Sequence, residues 1–243
     1  MLLAACGTAP ASSPGKSTGK TTANLGITAP NGQVEVNLPL NQVVFGDAGT
    51  PTPNKTGFGG GYTLDAATTA KPGPLNTTIG GVPVTFNVPQ LGDSHKSAVQ
   101  IKVGDPDITV RVPAGTYKEM YLVEGAGDGP GTVDITPLYS DGSKGTARTV
   151  TIDDWCVLAV NNTPTPGSVP VLMAQKRLDP TGTETGPAGC GMEGIGVPLN
   201  PAKTMSGFTL GNVATTTLGL KNDPAQQTDL TVNIAAVTLA PGS

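Results

Sequence analysis

The chain has 243 residues with 14 Lys and Arg against 18 Asp and Glu, which gives a net charge of −4 and a charged fraction of only 13%. Nucleic-acid binding requires a cluster of cations that neutralises phosphates, and no such basic patch is present. No stretch approaches the roughly 20 consecutive apolar residues of a transmembrane helix. These observations exclude a nucleic-acid-binding protein and a protein with a transmembrane helix. They leave a globular chain that contains 34 Gly and 23 Pro.

Residues 1–6 end in a short pattern around a cysteine. Leu3-Ala4-Ala5-Cys6-Gly7 resembles the lipobox of bacterial lipoproteins, in which the Cys is lipidated after signal cleavage. Only five residues precede Cys6, fewer than the basic segment and the apolar segment of about 7–15 residues that a working signal needs. The resemblance implies a remnant lipoprotein signal, lipidation at Cys6 and attachment to a membrane outside the cytoplasm. The alternative is three unrelated thiols.

Residues 7–32 are dominated by small, polar and Pro residues that cannot be buried. This composition predicts an extended, disordered tether. A tether after a lipidated Cys would hold a folded domain away from the membrane. The alternative is a disordered N-terminus without an anchoring role.

From residue 33 the sequence alternates apolar and polar residues with period two and is rich in Val, Ile and Thr, as half-buried strands require. Turn signals separate the runs, among them Pro113-Ala114-Gly115. The predicted strands are 34–38, 82–88, 99–103, 108–112, 117–123, 132–139, 147–155, 169–178, 204–210, 215–221 and 230–239. The pattern predicts an all-β, jelly-roll-type β-sandwich of two antiparallel sheets in a single domain, residues 33–243, with one short helical turn near 66–70.

The last strand contains a change of phase. Leu230, Val232 and Ile234 share one face, whereas Val237 and Leu239 fall on the other. A strand that must keep its apolar side chains in the core can do so through a bulge. The sequence therefore predicts a bulge or bend between Ile234 and Val237.

Several motifs occur in a collinear order that resembles the galactose-binding-like β-sandwich modules appended to bacterial glycoside hydrolases. They are Gly57-Phe58-Gly59-Gly60-Gly61-Tyr62, Gly80-Gly81-Val82-Pro83-Val84-Thr85-Phe86, Val112-Pro113-Ala114-Gly115-Thr116-Tyr117, Asp141-Gly142-Ser143 and Asp154-Trp155-Cys156. The resemblance covers roughly residues 33–240. It implies a non-catalytic, carbohydrate-associated binding module whose partner is a glycan.

Two other functions are consistent with the same scaffold. One is a structural or adhesive protein of the cell envelope without a sugar site. The other is a glycoside hydrolase whose carboxylate pair the motifs do not mark.

Tyr117, Glu119 and Tyr121 alternate along one predicted strand and would share a face. Two aromatic rings beside a carboxylate form a candidate surface for stacking and hydrogen bonding with a sugar. In the alternative, the tyrosines fill the sandwich interface with their hydroxyls at its rim. Trp155 follows an apolar strand, which favours a core anchor over a ligand platform.

No catalytic residue is selected by the sequence, and the chain is expected not to be an enzyme. The sole histidine, His95, lies in a polar loop, where a solvated side chain is the ordinary state. A glycosidase needs two carboxyls about 5–10 Å apart, and the adjacent Asp153 and Asp154 would point to opposite faces of a strand. The spacing of Glu119, Glu124 and Glu193 selects no pair.

Cys156 and Cys190 remain to form a disulfide if Cys6 is lipidated, and the alternative is a buried free thiol at Cys156. A structural calcium is the one metal expectation, and its ligands are unknown. Six aspartates lie in or near turns, where they usually cap the backbone instead: Asp47, Asp65, Asp105, Asp107, Asp128 and Asp141.

Overall fold

The computed structural model of the chain describes residues 26–29, 32–51, 57–156, 164–216 and 229–242. These residues form sixteen strands and one short 3₁₀ helix, so the predicted all-β sandwich is confirmed. The strands are β1 (Gly26–Thr28), β2 (Val34–Val36), β3 (Phe45–Gly46), β4 (Thr63–Asp65), β5 (Gly73–Ile79), β6 (Val82–Val88), β7 (Val99–Lys102), β8 (Ile108–Gly127), β9 (Gly131–Tyr139), β10 (Arg148–Ile152), β11 (Val169–Met173), β12 (Arg177–Leu178), β13 (Glu184–Thr185), β14 (Gly191–Pro198), β15 (Thr204–Thr215) and β16 (Thr231–Pro241). The 3₁₀ helix Ala66–Thr68 confirms the predicted helical turn, and Asp65 caps it by accepting from the Ala67 N–H. No helix in these described ranges is long and apolar enough to cross a membrane.

The 20-residue strand β8 belongs to both halves of the sandwich. Its first part pairs with β15, which pairs with β9, and β9 pairs with β10. Its second part lies between β14 and β16, and β16 also pairs with β7 and β2. All of these pairings are antiparallel. One strand therefore passes from one sheet to the other and joins them covalently.

The inner core lies between these two sheets and is made mainly of aliphatic side chains. Val133 and Ile135 from β9 meet Val232 and Ile234 from β16, and all four are fully buried. The alternation along β9 is complete, with every second residue from Gly131 to Tyr139 buried. The period-two pattern thus marks this core correctly.

A second, outer core covers the opposite face of β16 and β8. It is closed by the β5–β6 hairpin and by a small sheet in which β13, β12, β4 and β3 are neighbours. Phe58 stacks on Trp155 with ring centroids 4.6 Å apart, and the disulfide Cys156–Cys190 lies in the same cluster. The predicted bridge is confirmed, with an S–S distance of 2.02 Å.

The predicted bulge in the last strand is confirmed, because the register of β16 against β8 shifts between Ile234 and Ala236. The predicted turn at Pro113-Ala114-Gly115 is wrong, because these residues lie inside β8. The pairing of β8 with β15 runs to Arg111 and resumes at Gly115, across a register shift in β15. Pro113 falls in this interruption, so its missing N–H removes no ladder bond.

Two further differences concern the ends of the predicted elements. Strand β1 lies within the predicted tether 7–32, where it pairs with β2. The sequence predicts no strand before residue 34, because a three-residue strand carries too little apolar signal to be recognised. Cys6 lies outside the described residues, as does most of the predicted strand 215–221.

Candidate functional site

Tyr117 and Tyr121 do not form an exposed platform. Their side chains are 5% and 1% exposed, and they lie in different cores, Tyr117 in the inner one and Tyr121 in the outer one. The register against β16 shifts between Tyr117 and Glu119, which reverses the face that the following residues present. The Tyr117 hydroxyl donates to the Pro113 carbonyl at 2.8 Å, and the Tyr121 hydroxyl donates to Glu119 at 3.2 Å. Both tyrosines fill the interior with their hydroxyls satisfied.

Trp155 lies in the outer core, as the sequence favoured. The Phe58 ring stacks almost parallel on the Trp155 ring. The Arg177 guanidinium lies 5.6 Å from the centre of the Trp155 ring and 5.0 Å from the centre of the Tyr62 ring. The glycine-rich segment around Phe58 is therefore a packing element. A Cβ at Gly127 would overlap the Phe58 carbonyl, so only glycine permits this approach.

Four of the six turn aspartates, Asp65 among them, accept hydrogen bonds from backbone N–H groups. Asp105 accepts from the Lys102 N–H, Asp141 accepts from the Ser143 N–H, and Asp47 accepts from the Asp93 N–H. Within the described ranges, no three His, Cys, Asp or Glu side chains are arranged to hold a metal ion. A calcium ligand set remains without support among these residues.

Three carboxyl groups meet inside the molecule at Glu124, Glu193 and Asp153. Glu124 and Glu193 are directly opposed on β8 and β14, and neither Glu124 oxygen has a hydrogen-bond partner in the described part of the chain. Asp153 accepts from the Thr165 hydroxyl at 2.6 Å. Glu124 is only 1% exposed. Two of the three glutamates that the sequence left unselected are thus neighbours, but they face the interior.

Burial controls the protonation of these groups. Desolvation raises the pKa of Glu124 well above its usual range, and the charges of Glu193 and Asp153 raise it further. Desolvation, followed by the neighbouring Asp153, raises the pKa of Glu193 from 4.5 to about 7. Glu124 and Glu193, at 1% and 4% exposed, therefore present no carboxyl to a polysaccharide on the surface.

An open groove of about 540 Å³ lies beside β16, between β2 and the end of β6. Its floor is Ala235, Ala236 and Val237, the segment that contains the bulge. The small side chains of the floor leave space above the bulge in β16. Bulges frequently lie next to binding sites. Strand β2 and the residues after it form one wall, while the end of β6 and the loop 89–96 form the other.

Polar side chains of five kinds line this groove. Asn37, Asn87 and Gln90 contribute amides, and Glu35, Ser94, His95 and Lys96 contribute a carboxylate, a hydroxyl, an imidazole and an ammonium. Asn87 and Gln90 are exposed. Within the described part of the chain, neither side-chain amide makes a hydrogen bond. Half-buried Leu38, Leu40 and Pro89 supply apolar surface between the polar groups.

The amides of this groove can form hydrogen bonds to the hydroxyl groups of a ligand. An amide both donates and accepts, so it matches a sugar hydroxyl in either role. Glu35 is the only carboxylate among the lining residues, and burial raises its pKa. The sequence prediction missed these residues because they lie in loops and strand ends without a motif. The sole usable signals were the phase change in β16 and the polar loop around His95.

Comparisons with known proteins add little to this description. No protein-family model matches the chain, and no curated protein matches it either. Among solved structures, the structure of infectious bursal disease virus Gt strain is similar at 13% identity with a TM-score of 0.14. The match covers 87% of this chain and spans about half, 52%, of the viral chain. A likeness at this level carries no argument about function.

Proposed function

We propose that this chain is a non-catalytic, carbohydrate-binding β-sandwich that uses the groove between β2, β6 and β16. The observation that carries the proposal is the set of amides on the groove walls, with Asn87 and Gln90 exposed and unpaired in the described chain. A neutral polysaccharide presents alternating hydroxyls and apolar C–H patches. The amides would bind the hydroxyls, and Leu38, Leu40 and Pro89 would contact the apolar patches.

The proposal includes a location outside the cytoplasm, with lipidation at Cys6 and attachment of the chain to a bacterial membrane. Its support is the Cys156–Cys190 disulfide, because such bonds form and persist in oxidising compartments. The lipobox-like residues before Cys6 add the proposed means of attachment.

The non-catalytic assignment is supported by the distribution of carboxylates. Hydrolysis of a glycosidic bond requires two carboxyls that face one sugar. In the described part of the chain, Glu35 is alone in the groove, whereas Glu124 and Glu193 are buried elsewhere. The structural or adhesive alternative differs from the proposed function in one measurable property, the binding of a polysaccharide.

Affinity electrophoresis through gels that contain neutral polysaccharides tests the groove. We expect one or more of a panel of neutral glucans, galactans and mannans to retard the wild-type chain. The double variant Asn87→Ala/Gln90→Ala should lose about tenfold or more in affinity, because two hydrogen bonds of about 0.5–1.5 kcal/mol each are removed.

The matched control is Asn76→Ala, which removes an exposed amide from β5 of the same hairpin, outside the groove. This variant should be retarded like the wild type. Failure of every neutral polysaccharide to retard the wild type would support the structural or adhesive alternative. Equal losses in the double variant and the control would reject the groove as the binding site.

A further inference from the structure

A second depression has a volume of about 280 Å³. The β9–β10 hairpin forms one side, and the segment 198–203 between β14 and β15 forms the other. Three cations line it: Lys144, Arg148 and Lys203. The whole chain contains only 14 Lys and Arg and is acidic overall, so this convergence departs from the rest of the surface.

Lys203 is held in place by its neighbours. Its ammonium lies 4.7 Å from the centre of the Tyr139 ring and 3.0 Å from the Ser143 hydroxyl. Asp141 lies 3.7 Å away and is itself bonded to the Ser143 N–H and hydroxyl, which lower its pKa. The acidic residue therefore positions Lys203 while its own bonds are directed largely to Ser143.

Lys144 and Arg148 are exposed and have no acidic side chain within ion-pairing distance in the described ranges. Arg148 is the first residue of β10, where the ladder with Ile135 fixes its backbone. An arginine on a rigid strand can bind a carboxylate or sulfate through two parallel hydrogen bonds. Asn200 adds an amide on the facing wall.

We infer that this depression binds an acidic group, a carboxylate or a sulfate, carried by a polysaccharide. Arg148 would form the paired hydrogen bonds, and Lys144 and Lys203 would neutralise the remaining charge. That the acidic group belongs to a glycan rests on the proposed function, whereas the anion contact rests on the depression alone. The groove would then bind the hydroxyl groups of the polysaccharide, and this depression would bind its negatively charged groups.

Affinity electrophoresis with polygalacturonate, sulfated dextran and unmodified dextran tests the inference. We expect an acidic polymer to retard the chain more than unmodified dextran, and the retardation should fall as NaCl rises from about 50 mM to about 300 mM. The double variant Lys144→Gln/Arg148→Gln should weaken this binding at least about tenfold. Preference for polygalacturonate or for sulfated dextran identifies the acidic group.

The matched control is Lys71→Gln/Arg111→Gln, which removes one Lys and one Arg from exposed positions outside the depression and gives the same net charge. It should keep the wild-type affinity. Equal losses in both double variants, or no preference for either acidic polymer, would overturn the inference. Because Asn87→Ala/Gln90→Ala acts on the neutral arm only, failure of the groove and failure of the depression give different results.

Discussion

The two cores of this protein are built by different means. The inner core is formed mainly by aliphatic side chains of long strands, and along β9 buried and half-buried residues alternate strictly. The outer core is closed by short strands, a hairpin, an aromatic stack and one disulfide. The inner core therefore depends on periodicity, whereas the outer core depends on a few specific contacts. The groove opens beside the outer core, where irregular backbone creates space.

The largest expected effect comes from the inner core. Phe208 on β15 is fully buried there. Phe208→Ala should lower the free energy of unfolding by about 3–5 kcal/mol, because the cavity cannot be filled by neighbours on two rigid sheets. Urea denaturation measures the change. Val103→Ala, at a 41% exposed position, is the control and should stay within about 0.5 kcal/mol.

Loss of the disulfide should affect the outer core first. Cys156→Ser/Cys190→Ser opens a loop with a sequence separation of 34 and should cost about 3–4 kcal/mol in the chain-entropy description. Trp155 is the only tryptophan, so its fluorescence reports on the outer core alone. We expect its emission to shift at lower urea than the far-ultraviolet circular dichroism signal. Coincident transitions would mean that the two cores unfold as one unit.

The buried carboxyls between the sheets should make stability depend on pH. The folded state keeps protons on Glu124 and Glu193 to higher pH than the unfolded chain does. Stability therefore falls as pH rises from about 4.5 through about 7, where Glu193 titrates, and it continues to fall above that pH for as long as folded Glu124 keeps its proton. Glu124→Gln should raise the free energy of unfolding at pH 8 by roughly 2 kcal/mol and change it little at pH 4.

Thermal unfolding of the wild type and Glu124→Gln across this pH range tests the prediction. Glu35→Gln, which changes a half-buried carboxyl in the groove, is the matched control and should have a smaller effect. A variant that is less stable than the wild type at pH 8 would contradict the assignment of an unpaired buried carboxylate.

The smallest effect is expected at the aromatic stack. Phe58→Leu keeps an apolar side chain in the outer core but removes the parallel ring contact with Trp155. The free energy of unfolding should fall by about 1 kcal/mol, in the range that aromatic pairs contribute beyond burial. The Trp155 emission should change even without denaturant, because its nearest ring neighbour is lost. An unchanged spectrum would contradict the observed stacking.

The same contrast explains what the sequence could predict. Strict alternation marked β9, and the phase change after Ile234 marked the bulge in β16. The segment 113–115 was misinterpreted because a proline at an interruption of the ladder has the same local sequence as a turn. Of the two interpretations of the tyrosines, interior packing agrees with their burial. Period two places Tyr117 and Tyr121 on one face only if no register shift intervenes, and one does.

The groove and the carboxyl pair lay beyond local reasoning. Glu124 and Glu193 are neighbours only because β14 pairs with β8, and β14 was not predicted as a strand. The groove combines β2, β6 and β16, which are distant in the sequence. Such sites depend on which strands become neighbours, and the topology of the sheets decides that.

The central claim, that the groove binds neutral sugars, is tested most directly by the NMR signal of the His95 imidazole. His95 is the only histidine in the chain, and it lies on the groove wall. Its imidazole C2 proton therefore gives one assignable NMR signal. Titration with an oligosaccharide of the retained polysaccharide should shift this signal saturably in the wild type and far more weakly in Asn87→Ala/Gln90→Ala. Saturable binding of the sugar that leaves the His95 signal unmoved would contradict the groove as the site.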